Sequence, residues 1–214
     1  MESLATSQTL RFLQQENRRL QEENTALRKE VQTLQEYMKS LRALYQASLT
    51  LSSESDLISL LNKILYAALN VLDASDGSLL LLDEEKGELV FASVLGAVSS
   101  SLPKYRIPKN MGVAGWVASN AEPLIVNSPR FDPRFSPHVD ETFNFRTNSL
   151  ICVPLIADER VIGVVEVLNK FSGEEFNEND LNLLTFLAHI AAIAIRKVEK
   201  HLEAEEDYPL SSAR

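Results

Sequence analysis

Cysteine is almost missing from this 214-residue chain: Cys152 stands alone, so no internal disulfide is available. It lies in the apolar run SLICVPL and reads as a small buried hydrophobe. Histidine is scarce as well. His138, His189 and His201 share no ligand spacing with Cys152, so no metal site and no cofactor is expected; His189 reads as a packing or interface residue rather than a haem ligand. No run of 18 apolar residues occurs, which argues against a membrane span. The opening MESLATSQTL lacks the basic start and apolar core of a secretory leader, so a cytoplasmic location is expected. Nucleophile elbow and phosphate loop are absent too. Asp132, Asp140, Glu141 and Glu166 therefore have no catalytic company, and the chain is not expected to be an enzyme.

Basic charge is the next shortage. Residues 1 to 50 hold seven of the 21 Lys/Arg and six of the 30 Asp/Glu, which leaves 14 basic and 24 acidic residues beyond them. Such an acidic globule repels nucleic acid. Lys104, Arg106, Lys109, Arg130, Arg134 and Arg146 form a local exception. They read either as the rim of a pocket for a small anion or as solvated loop charges.

What the chain has in plenty is leucine at sevenfold spacing. Leu13, Leu20, Leu27, Leu34 and Leu41 recur every seven residues, with Leu10, Asn17, Asn24, Val31, Met38 and Tyr45 at the alternate seam position. Five heptads predict roughly 50 Å of helix in a coiled coil. Asn17 and Asn24 weaken an apolar seam, but each can hydrogen-bond its symmetry mate in a parallel pair, so a parallel homodimer is expected. Glu23 facing Arg28 of the partner adds a little. A DNA-binding fork needs a basic helix ahead of the first leucine, and only Arg11 precedes Leu13.

Beyond the rod, one domain's worth of chain remains. Leu57, Leu60, Leu61, Ile64, Leu65, Ala68, Leu69 and Leu72 follow helical spacing after a polar Ser52–Asp56 start. SLLLLD and ELVFASVL flank EEKG and predict a hairpin with Gly87 at positive φ. GVAGWVASN predicts a short helix over 112–120, PLIVN a strand, and SLICVPLIA with RVIGVVEVLN a second hairpin around Asp158-Glu159. From Asn179 to about Leu202 the apolar residues trace one helical face. The class is α+β with a largely antiparallel sheet. Residues 128 to 148, with three prolines and four phenylalanines, read as a long loop of the kind used as a lid.

SLLLLD, RIPKNMGVAGWVASNAEPLIVN, FRTNSLICVPL, VIGVVEVLNK and the closing helix together resemble a GAF domain of the cyclic-nucleotide phosphodiesterase and adenylate cyclase branch. The resemblance implies a six-stranded antiparallel sheet with flanking helices and a capped ligand pocket. It divides the chain into a coiled coil (1–50), a GAF domain (51–202) and an acidic tail (203–214). It also implies a bracing motif, matched by Asn169, Lys170, Phe176 and Asp180, in which Lys170 and Asp180 pair; the motif's final glutamate is Leu181 here. Pocket positions implied by the resemblance are Ser78, Val113, Ala114, Asp140, Thr147 and Glu166, which keep the nucleotide-binding residue types or nearly so. Val94 and Leu95 stand where a Phe-Asp pair reads the purine, Ser136 where a lid tyrosine stands, and Phe143 where a lid threonine stands. Losing the carboxylate that reads a base edge weakens binding or changes the ligand. Related domains that attach bilins need a lid cysteine, and free-methionine-sulfoxide reductases of this fold need several; Cys152 serves neither.

The resulting expectation is a non-catalytic, dimeric regulatory protein whose GAF domain senses a small ligand, cAMP or cGMP being the best single guess. No kinase, cyclase or phosphodiesterase segment follows residue 200, so the signal is expected to leave through an unidentified protein partner. The alternative is a ligand-free GAF scaffold used for dimerisation and docking. If Phe131, Phe135 and Phe143 fill the pocket the scaffold gains; an open cavity lined by Ser78, Thr147 and Glu166 favours sensing.

Overall fold

The computed structural model describes residues 13–34, 38 and 57–206, with side chains to residue 200. The chain divides into two units, Met1–Lys39 and Ser40–Arg214. In the first, helix α1 (residues 13–34) is continuous and carries Leu13, Leu20, Leu27, Val31 and Leu34 more than half exposed in the single chain. Arg28 Nε donates to Asn24 Oδ1 of its own helix at 2.8 Å, so in the single chain it does not wait for Glu23 of a partner. Leu41, the boundary near residue 50 and the tail from 207 lie outside the described residues.

In the second unit six strands form one sheet in the order β3-β2-β1-β6-β5-β4, every neighbouring pair antiparallel. The strands are β1 (Ala74–Asp83), β2 (Glu88–Leu95), β3 (Arg106–Pro108), β4 (Leu124–Val126), β5 (Leu150–Ala157) and β6 (Arg160–Lys170). Helix α2 (Leu57–Leu72) packs on β1 and β2, and α5 (Glu178–Glu206) packs on β5 and on α2. Gly77 permits the close approach of α2: a Cβ there would stand 3.0 and 3.1 Å from Leu69 and Leu65. The opposite face carries α3 (Gly112–Asn120), whose Val113, Ala114 and Val117 join a core with Leu80, Phe91, Cys152 and Val164. By length and composition the 178–200 stretch of α5 would cross a membrane, yet Leu184, Leu187, Ala188, Ala191, Ala192 and Ile195 are all buried in this domain. It serves as a core helix.

Both hairpins turn where local chemistry allows. Gly87 adopts φ +65° and its N–H donates to Asp83 O at 2.8 Å, while the Asp83 carboxylate accepts from Lys86 N. Asp158 and Glu159 both take positive φ, as a two-residue turn between β5 and β6 requires.

The structure departs from the sequence reading in several places. β1 begins at Ala74, four residues before SLLLLD, because its ladder with β6 runs on to the end of that strand, Ala74 pairing with Lys170. β3 is an element the apolar pattern does not announce. The 128–148 segment is no plain loop: it holds a 3-10 turn (Pro129–Phe131) and helix α4 (His138–Phe143). Finally, α5 continues to Glu206, so residues 203–206 are helical and not tail. Glu203, Ala204 and the glutamates after them are good helix formers, and the helix outlasts its apolar face.

Candidate ligand cavity

The sheet face opposite α2 and α5 is where the chemistry collects. Side-chain alternation places Ser78 of β1, Cys152 of β5 and Glu166 of β6 on it, in register across three strands. A slip in the β1–β2 ladder between Leu79 and Leu80 leaves one extra residue on β2, so Phe91 and Val94 both reach this face. Ser93, between them, turns away to donate to Asn62 of α2 at 2.6 Å.

Over this floor sits a roof made by the start of α3, by α4, and by Phe135 and Ser136. The cavity between them, partly open to solvent, has about 90 Å³ of free space. Ser78, Val94, Leu95, Val113, Ala114, Ser136, Asp140, Phe143, Thr147 and Glu166 all line it. Those ten positions, scattered over nearly ninety residues of sequence, meet in one place. Asp76, Phe91, Val98, Leu102, Ile107, Val139 and Phe145 line it too and were not anticipated. Phe91 was missed because strict alternation assigns it to the face opposite Val94; nothing in ELVFASVL marks the bulge. Among the possible fillers, Phe135 and Phe143 are in the wall, whereas Phe131 is 90% exposed.

The polar groups of the wall are differently engaged. Asp140 is buried and already committed: Oδ1 accepts from Thr147 Oγ1 at 2.7 Å, and Oδ2 from Thr147 N at 3.0 Å and Arg130 at 3.4 Å. This fastens α4 to the start of β5. A second fastening joins α4 to the far rim, where Tyr105 Oη and His138 Nε2 are 3.0 Å apart and Tyr105 meets Phe143 edge to face at 5.0 Å. Glu166 is held more loosely, accepting from Ser78 Oγ at 3.1 Å. Burial pushes its carboxyl up to about 7; the Ser78 hydrogen bond works against this, and the Asp140 charge adds to it. Burial also raises the Cys152 thiol well above its ordinary range, with the Glu166 charge contributing, so the sulfur is unreactive. Val113 and Ala114 of the first turn of α3 line the cavity, and the helix start has no side-chain cap.

Of the two readings of the basic loop residues, the cavity rim is the one the structure does not show. Among the described residues no Lys, Arg or His lines the cavity. Arg106 instead binds Asp83 and Glu88 at 2.8 and 2.7 Å on the β2–β3 edge, and Arg134 binds Asp132 at 2.7 Å while stacking on Trp116. Lys104, Lys109 and Arg146 are exposed. The loop charges are exposed or pair with acids, Arg130 among them with Asp140 of the wall at 3.4 Å.

Behind the cavity, β6 runs into the bracing motif. Lys170 Nζ lies 2.7 Å from Asp180 Oδ2, with Phe176 beneath the ammonium at 5.4 Å. The Asn169 carboxamide receives Asn148 N and donates to Arg146 O, fixing the chain that leads into β5. The six-stranded sheet, the roofed cavity and this motif coincide with a match of residues 54–196 to the family model described as GAF domain.

The chain belongs to the GAF domain family. The chain is 30% identical over 175 residues to the dual 3',5'-cyclic-AMP and -GMP phosphodiesterase 11A of Takifugu rubripes, an alignment covering 76% of this chain and 19% of that protein. The chain thus spans about a fifth of that relative's length. Among solved structures, the GAF domain of a phosphoenolpyruvate-protein phosphotransferase from Coxiella burnetii superposes with TM-score 0.66 at 20% identity, over 78% of this chain and 98% of that one. A free methionine-R-sulfoxide reductase from Neisseria meningitidis, solved with its substrate, gives 0.61 at 23% identity over 77% and 93%. At such identities the two structures share the GAF fold with this chain. GAF domains are commonly ligand-sensing regulatory modules, and no group of three or more metal-binding side chains exists among the described residues.

Proposed function

We propose that this chain is a non-catalytic regulatory module that works as a parallel homodimer in the cytoplasm, senses a small ligand in its GAF cavity and hands the signal to a protein partner. The observation that carries this reading is the cavity itself, in which Asp76, Ser78, Ser136, Asp140, Thr147 and Glu166 stand in a mostly apolar wall under a roof that includes α3. A few convergent polar groups in an apolar enclosure are what a small-molecule site needs. The leucine stripe of α1 supports the dimer: Leu13, Leu20, Leu27 and Leu34 at sevenfold spacing, with Val31 at the alternate seam position, are each more than half exposed among the described residues.

For the ligand, a cyclic nucleotide is the first candidate, supported by the similarity to a phosphodiesterase named for cAMP and cGMP. Its phosphate would fall to the α3 amides and its base to Glu166 and Thr147. Calorimetric titration of the full chain with cAMP and cGMP tests this. Saturable heat below millimolar ligand is expected, and silence with no thermal shift at millimolar ligand excludes it. Sedimentation of the same protein reads the dimer.

One observation favours the scaffold reading. The free space of about 90 Å³ is below the roughly 300 Å³ at which ligand clefts usually begin, and Phe91, Phe135 and Phe143 turn toward it. If side chains alone fill the site, Phe143→Ala costs about 3 kcal/mol and no small ligand restores it. If the lid opens for a ligand, that variant binds better than the parent.

A further inference from the structure

Met111, Gly112, Phe135 and Ser136 each face two spaces: they line the cavity, and with Trp116 and Arg134 they line an outer groove of about 590 Å³ that is open to solvent. At these four residues the roof is a single layer thick. Gly112 has φ +68° and no side chain, and a Cβ there would stand 3.5 Å from Ser136 Cβ, so the first residue of α3 leaves the seam unfilled. Among the described residues no hydrogen bond joins residues 132–137 to residues 108–120. Phe135 N donates to Asp132 O at 3.0 Å, Arg134 binds the Asp132 carboxylate, and His138 N donates to Ser136 Oγ at 3.5 Å, all on one side of the seam. Across it, the Arg134 guanidinium lies over the Trp116 ring at 5.1 Å, both side chains half-buried. Such a stack in contact with water is weak beside a charge-assisted hydrogen bond. The rest of the roof is better held, because α4 is tied to Thr147 and Arg130 through Asp140 and to Tyr105 through His138 and Phe143.

We propose that this seam is the passage into the cavity, an inference that rests on the sensory reading above: the strap Arg134–Ser136 swings off the first turn of α3, with the Arg134–Trp116 stack as its latch and the outer groove as its mouth. Pro133 and Pro137, whose rings fix φ, bound the strap, so its three residues move as one short stiff piece. Phe135 travels with it and vacates part of the wall. A body larger than the resting free space of about 90 Å³ can then enter from a groove already wide enough to hold it. Helix α4 stays in place, since none of its ties to Thr147, Arg130 and Tyr105 runs through the strap.

The test reads access to the cavity and needs no ligand. Ser78→Cys places a thiol on the cavity floor, and its methylthiolation by methyl methanethiosulfonate is followed by mass spectrometry of the full chain. Cys152 is the internal control, being fully buried with its thiol held well above the ordinary range. In that background Arg134→Ala, and separately Trp116→Leu, should raise the rate at the introduced thiol about three- to fivefold, the shift that loss of one partly exposed cation–π contact supports, with Cys152 unmodified. Tyr105→Phe, which breaks the His138 tie on the far rim, should leave the rate as it was. Four results each overturn the passage: rates unchanged by both latch variants, a larger rise from Tyr105→Phe than from either, Cys152 reacting in step with the introduced thiol, or no reaction at the introduced thiol in any variant. The nucleotide reading fails separately, through silence of cAMP and cGMP in titrations of the parent chain, and a passage that labels as expected survives that silence as the route for another small ligand.

Discussion

Lys170 and Asp180 join the last residue of β6 to the first turn of α5 through a 2.7 Å ion pair whose side chains are 10% and 11% exposed. Asp180 does double duty. Its Oδ2 accepts from Asn177 N, while Asn177 Oδ1 accepts from the amides of Asn179 and Asp180, a reciprocal cap on the helix start. Lys170→Met leaves a buried carboxylate without its cation and should cost about 3 kcal/mol, part of which the Lys170→Met/Asp180→Leu double variant recovers. Urea denaturation of the three proteins reads both numbers; a silent single variant would show that the pair is ornamental to the fold.

Glu166 makes stability depend on pH with a definite sign. Its folded value of about 7 lies above the ordinary 4.5, so between these values the folded chain holds a proton that the unfolded chain has lost. Its contribution is full below about 4.5 and is lost as pH rises through about 7. Glu166→Gln carries no such loss and should exceed the parent by up to ~3 kcal/mol at pH 8 while matching it near pH 4. Denaturation midpoints across that range test the sign, and a constant difference would remove Glu166 as the titrating group.

Gly115 inverts the usual helix preference. Alanine normally gains about 1 kcal/mol over glycine inside a helix. Here a Cβ would stand 2.6 Å from the carbonyl carbon of Asn110 and 2.9 Å from its Cα, both backbone atoms that cannot rotate aside. Gly115→Ala should therefore destabilise by roughly 1–3 kcal/mol, read as a lower thermal midpoint.

The lid's attachment is open to a kinetic probe. Asp140→Ala removes both bonds to Thr147 and the contact with Arg130, and leaves a buried Thr147 N–H without an acceptor. A loss of about 2 kcal/mol and faster amide exchange confined to residues 138–147 are expected.

Replacing Asn17 and Asn24 together with leucine should raise the thermal stability of the rod and admit trimers or tetramers. Arg28 now bonds Asn24 within the helix, so this change also releases Arg28. Sedimentation decides the matter; a variant that stays strictly dimeric places the control of register elsewhere.

Legibility in the sequence followed the reach of each interaction. Helix α3 was readable to the residue because its glycines and small apolar side chains set it off locally, and Gly87 announced its turn through the one conformation it permits. β3 was not readable. Its three residues, Arg106 to Pro108, are a strand only because β2 lies beside them, and no apolar period marks so short a piece. The cavity wall was legible where the GAF resemblance supplied positions, as at Ser78 and Glu166, and illegible where a bulge redirected Phe91. Arg106 and Arg134 stayed ambiguous for a related reason: sequence clusters them, but their carboxylate partners Asp83, Glu88 and Asp132 are set by the fold.

The two-residue turn at Asp158-Glu159 has a mechanical side. Asp158 accepts from Arg196 at 3.2 Å and from Lys200 at 3.1 Å, so the hairpin that carries Glu166 grips α5 near its described end, while Lys170 and Asp180 grip it at its beginning. Between the two grips the helix is held by its buried face, from Leu184 to Ile195, against β5 and α2. The grips differ in kind. The one at Lys170 is sheltered, whereas Asp158 and Lys200 are more than half exposed and screened by salt. Raising ionic strength thus loosens only the stretch of α5 beyond Ile195, where the buried face ends, and leaves the part gripped at Lys170 in place.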